Sequence, residues 1–166
     1  MRFAGKDLSY YWQAIKWPVV VLTLWNIAGA LVLRRSAETY MSIFGNQWLG
    51  FFLPIIVYLV AGYVATADYQ AKAGQASWSG ALTGFVVGVI GVAVLIVNFT
   101  PVVELGAEQA VVKAAEQGQA IAAEEIIPLV KVGTYISAVF SPFISGLFGA
   151  LFGWLGHVLA RKVEHD

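Results

Sequence analysis

The chain has 166 residues, 59% of them hydrophobic and 12% charged, where soluble domains carry roughly a quarter charged. Ten basic and ten acidic residues cancel to zero net charge, so no basic excess argues for a nucleic acid partner. Without cysteine there are no disulfides, thiolate metal sites or cysteine nucleophiles, and a mean hydropathy of +0.74 is more than a water-soluble chain of this length can bury, so the implied solvent is lipid.

Residues 1–16 mix Phe3, Leu8, Tyr10, Tyr11, Trp12 and Ile15 with Arg2, Lys6, Asp7 and Lys16. That mixture predicts an interfacial amphipathic segment leading into the membrane. The apolar run that follows begins late and ends in two arginines without a cleavage site, so it is expected to be an uncleaved first helix rather than a signal peptide. Four runs are long and apolar enough to span: 17–33, 48–66, 80–99 and 134–160. A span takes about 17–25 residues, so the first is short and the fourth has length to spare. Pro18 suits the first turn of a helix, where its missing N–H costs nothing. Trp17, Trp48 and Trp78 stand at span edges, where indole rings favour the headgroup layer.

Between the third and fourth spans lies 101–131, whose middle is rich in Ala, Glu and Gln, all good helix formers. Val111, Ala115, Ile121 and Ala122 give it a weakly apolar side. The segment predicts a surface helix over about 104–127, ended or bent by Pro128, with a docking arm for a partner as the alternative reading. The whole is read as one all-α integral membrane domain, 1–166. Four spans place Arg2, Lys6, Lys16, Lys72, Arg161 and Lys162 on one side and Arg34, Arg35, Lys113 and Lys131 on the other. The larger basic count predicts both termini in the cytoplasm of a multi-pass protein of the cell (inner or plasma) membrane, with Arg34 and Arg35 opposing.

Small residues recur in the last two spans. Gly80, Gly84 and Gly88 repeat at four residues and Gly91 follows at three. Ser141, Ser145, Gly149, Gly153 and His157 repeat at four, and Gly146, Gly149, Gly153 and Gly156 at three and four. Within lipid, helices associate by close van der Waals contact, which small residues permit. The spacing predicts that the third and fourth spans pack on each other, leaving a second small face of the fourth for another span or another chain.

Polar chemistry is sparse. No Asp, Glu, Lys or Arg falls inside a span, whereas proton and ion paths are marked by such groups. Asn26, Thr83, Asn98, Ser141 and Ser145 are the side chains that could line a wet path. His157 is a candidate ligand for haem iron or chlorophyll magnesium, with Gly153 one turn earlier to clear space; the alternative is an interfacial polar residue near a helix C-terminus. His165 belongs to the charged tail. No catalytic constellation and no metal motif can be nominated.

The stretch 60–91 carries Gly62-Tyr63-Val64-Ala65, a short loop from Lys72 to Gly74, and Gly80-Ala81-Leu82-Thr83-Gly84. In this it resembles a class of small, uncharacterised four-helix prokaryotic membrane proteins, from which it departs in the long 101–131 segment. The resemblance implies the four-helix fold and no activity. The expected function is a non-catalytic structural or accessory subunit, associating with itself or with a larger membrane complex. A small transporter or channel, or a pigment- or haem-binding subunit using His157, are the alternatives.

Overall fold

The computed structural model describes residues 2–3 and 5–163; His165, and the parts of the N-terminal reading that fall on residues 1 and 4, lie outside them. Two short strands, β1 (Arg2–Phe3) and β2 (Lys6–Asp7), pair antiparallel, Arg2 opposite Asp7 and Phe3 opposite Lys6. Among the described residues six helices follow: α1 (Leu8–Arg35), α2 (Ala37–Ile43), α3 (Gln47–Ala67), α4 (Ala73–Val97), α5 (Phe99–Glu116) and α6 (Ala123–Val163). Four of them, α1, α3, α4 and α6, are long and apolar enough to cross a membrane.

Side chains are distributed as lipid requires. The interior is made largely of small groups, among them Ala14, Ala61, Ala65 and Ala76, with Tyr11, Ile15, Leu22 and Val87 between helices. Trp17, Phe51, Ile96 and Leu147 face outward. An apolar exterior this continuous would associate in water; in a bilayer it is solvated.

Contacts fix the directions of the spans. Arg34, at the end of α1, meets Asn98, at the end of α4. His157, near the end of α6, meets Thr66, at the end of α3. Tyr10, at the start of α1, donates to the Tyr69 carbonyl in the turn between α3 and α4. The four long helices therefore alternate in direction, with the start of α1, the α3–α4 turn and the end of α6 at one end of the bundle. Local signals explain several helix starts. Ser36 accepts the Thr39 N–H to open α2, Asn46 accepts the Trp48 N–H to open α3, and Gln75 accepts the Lys72 N–H to open α4.

Several boundaries differ from the sequence reading, and α4 covers Ala73–Val97 where the apolar run was 80–99. Residues 8–16 are the opening turns of α1 and not a separate segment, so Pro18 lies inside a helix instead of in its first turn. The expected surface helix over about 104–127 is replaced by α5 and the first turns of α6, and the break falls at 117–122, where Gly118 adopts φ +76°. That is left-handed backbone, open to glycine at little cost. Pro128 neither ends nor interrupts a helix. It lies six residues into α6, which continues through Pro142 for 41 residues. Pro142 has no N–H to give the Ala138 carbonyl, and the Ser141 hydroxyl donates to that oxygen instead, at 3.4 Å. Hydroxyl groups of this kind let a membrane helix carry proline. The α4–α5 rod runs antiparallel along α6, from Ala76 beside Gly153 to Phe99 stacked on Tyr135 at 4.8 Å and Gly106 beside Val130.

Candidate functional site

The small residues of α4 and α6 meet backbone to backbone. A methyl group placed on Gly80 would strike the Gly149 carbonyl oxygen, and one on Gly149 would strike that of Gly80. One on Gly84 would strike the Ser145 carbonyl, and one on Gly88 would lie 2.5 Å from Pro142 Cα. At Gly80, Gly84 and Gly149 the hydrogen that glycine carries in that position therefore points at a carbonyl across the interface. Such Cα–H···O contacts contribute about 0.5–1 kcal/mol each, and they add to the van der Waals attraction of two close backbones. The Ser77 hydroxyl crosses the same interface to the Ala150 carbonyl at 2.9 Å.

The second small face of α6 meets α3. A methyl on Gly156 would strike the Leu59 carbonyl, and one on Gly62 would strike that of Gly153. Gly153 thus lies between two helices, with Ala76 oxygen 2.6 Å from its own hypothetical Cβ on the α4 side. Not every residue of the repeat takes part. Gly146 is looser, its nearest neighbour across the interface the Ala81 oxygen at 3.5 Å. Gly91 faces α1, with Asn26 Oδ1 at 3.9 Å, and Ser141 serves its own helix. Gly62 was not singled out for packing by the repeat in α4 and α6. Its signal is the short series Ala61, Gly62, Ala65, Thr66, all buried.

His157 is half-buried, and its Nδ1 lies 3.1 Å from Thr66 Oγ1. The Thr66 hydroxyl donates to the Gly62 carbonyl at 2.9 Å. With its one proton committed, the oxygen accepts, which makes Nδ1 the donor of this contact. The faces of Gly153 and Gly156 are filled by Ala76, Gly80, Leu59 and Tyr63, so these glycines do not clear room for a flat ring beside the imidazole.

The remaining polar side chains form two groups. Thr83 is fully buried and donates to its own helix at Ser79, as Ser79 does to Gln75; Ser145 is the side-chain hydrogen-bond partner of Tyr58. At the opposite end from His157, Asn26 and Asn98 border one cavity of about 260 Å³, with Gly91, Tyr40 and Phe44 in its wall. Asn26 donates to Leu22 and Asn98 to Val94, each one turn back. Asn98 also accepts from Arg34 Nε at 2.6 Å, while Arg34 Nη2 donates to the Val97 carbonyl at 2.9 Å. Arg34 so occupies the C-terminal end of α4, where the helix dipole favours a cation. Among the described residues no group of three or more His, Asp or Glu could hold a metal ion.

No protein-family model, no curated protein and no solved structure matches the chain.

Proposed function

We propose that the chain is a non-catalytic structural or accessory subunit of a membrane complex, held in the cell membrane with both termini in the cytoplasm and residues 8–16 at the interface. The observation that carries this reading is how the polar side chains within the spans are spent. Asn26, Thr83, Asn98 and Ser141 each donate to a carbonyl of their own helix, and Ser145 pairs with Tyr58. Groups bonded in this way stabilise a bundle and offer little to a passing solute. The glycine contacts of α6 with α3 and α4 make a stiff platform, and the outward face of α6 is the surface left for a partner. Exposed large apolar residues run along it from Leu129 to Leu159, about 45 Å at 1.5 Å per residue. The hydrocarbon layer is about 30 Å thick, so the first turns of α6 reach the headgroup zone, where a neighbouring helix covers apolar side chains better than lipid does.

The test is the mass of the protein in mild detergent, measured by light scattering with the detergent contribution separated. An assembly heavier than the 17.9 kDa protomer, reduced by Leu129→Glu and Ile136→Glu, is expected, together with no solute flux in liposomes. A monomer that carries a saturable flux would overturn the proposal. The transporter reading draws on the cavity between Asn26 and Asn98, and Asn26→Leu would then abolish the flux. The pigment-carrier reading draws on His157, whose Nδ1 is held by Thr66.

A further inference from the structure

A second hollow lies on the lipid side of the contact between α1 and α4. It is a groove of about 370 Å³ with apolar walls, among them Ile27, Leu31, Ile90, Ala93 and Val97, and with Arg34 at its mouth. Leu31 is 59% exposed and Val97 67%, so the groove opens sideways to the bilayer. From Ile27 to Arg34, and from Ile90 to Val97, it descends about 10 Å along each helix. That is about two thirds of the roughly 15 Å depth of one leaflet's hydrocarbon.

The guanidinium at the mouth is held in place. Nε is fixed by Asn98 Oδ1 at 2.6 Å and Nη2 by the Val97 carbonyl at 2.9 Å. Asn98 is in turn held by the Val94 carbonyl at 2.7 Å and is 5% exposed. Guanidinium has five N–H donors, so donors remain after these two bonds, and neither Arg34 nor the adjacent Arg35 forms an ion pair among the described residues. A pre-oriented, uncompensated cation stands where a span ends, directly above an apolar channel of acyl-chain depth. We propose that this groove is a binding site for one anionic phospholipid. Its phosphate accepts from Arg34, with Arg35 adding charge, and one acyl chain lies between α1 and α4. Asn98 is a positioning residue that aims the guanidinium. Arginine suits the task because its planar fork pairs with phosphate oxygens.

Native mass spectrometry of the full chain, released from micelles doped with dioleoylphosphatidylglycerol or with dioleoylphosphatidylcholine, tests this. One phosphatidylglycerol per protomer is expected to survive, and phosphatidylcholine to be lost. Arg34→Gln should weaken retention about fivefold, the factor that one basic residue contributes at an anionic lipid surface. Because that change also uncaps α4, Ala93→Phe provides a second arm, filling the groove while leaving Arg34 and Asn98 in place; it should abolish retention with the melting temperature unchanged. Equal retention of the two lipids, or retention of phosphatidylglycerol by Ala93→Phe, would overturn the proposal. So would competition by millimolar inorganic phosphate as effective as that by the lipid, since the acyl chain would then contribute nothing.

Discussion

Gly149→Ala is the sharpest probe of the α4–α6 interface, because it adds a single methyl group to a helix. Its Cβ would strike the Gly80 carbonyl oxygen, 2.7 Å from the attached carbon and 3.3 Å from the Ala81 nitrogen. Backbone cannot swing aside as a side chain can. Non-bonded carbons rest about 3.5–4.0 Å apart, so α4 and α6 must part by about 1 Å, forfeiting roughly a quarter to a half of the attraction between facing atoms. Overpacking of this kind costs about 1–3 kcal/mol, which for a chain of this size lowers the melting temperature by roughly 2–12 °C. Three glycines provide the scale. Gly80→Ala should match Gly149→Ala. Gly146→Ala, with its nearest neighbour at 3.5 Å, should be close to neutral. Gly133→Ala meets nothing within 4 Å and should raise stability by up to about 1 kcal/mol through helix propensity alone. Thermal unfolding in dodecyl maltoside, followed by far-ultraviolet circular dichroism, gives the ranking. If Gly149→Ala and Gly146→Ala melt together, close backbone contact is not what holds α4 to α6.

Asn98→Ala should destabilise by about 1.5–3 kcal/mol, since it removes the charged hydrogen bond from Arg34; a melting temperature equal to wild type would refute the fastening of α1 to α4. His157→Leu should be milder, about 0.5–1.5 kcal/mol, because the Thr66 hydroxyl keeps its bond to Gly62. A stoichiometric haem or chlorophyll absorption band lost in that variant, with the fold intact, would instead make the residue a cofactor ligand. For topology, Gln117→Cys in this cysteine-free chain should react with an impermeant maleimide on intact cells, and Asp68→Cys should not; the reverse pattern would show that Arg34 and Arg35 set the orientation. Gly118→Ala should cost about 1–2 kcal/mol, the penalty for left-handed backbone in a residue with a Cβ, with nothing within 4 Å of the new methyl to add to it. A melting temperature unchanged from wild type would refute the positive φ.

Much of the fold was legible along the chain because a bilayer imposes its rule locally. An apolar layer of about 30 Å demands about 20 apolar residues in a row with every backbone group bonded inside the segment. The runs at 17–33, 48–66, 80–99 and 134–160 meet that demand whatever their neighbours do, and the structure places a long apolar helix over each. Helix ends were less legible. Pro18, Pro128 and Pro142 are breakers by intrinsic propensity, yet α1 and α6 run through them, the last with Ser141 serving the freed carbonyl. Partners were least legible of all. A small residue every four positions looks the same whether it faces another helix, its own backbone or lipid, and only the pairing of distant segments separates Gly149, pressed on Gly80, from Gly133, which faces open space. The junctions of Thr66 with His157 and of Arg34 with Asn98 join residues 91 and 64 positions apart, and a repeat within one segment does not name its partner in another. The four helices long and apolar enough to cross a membrane thus follow from sequence alone, since each depends on the composition of one segment. Which faces meet was decided by the tertiary structure, since close contact is a property of two surfaces at once.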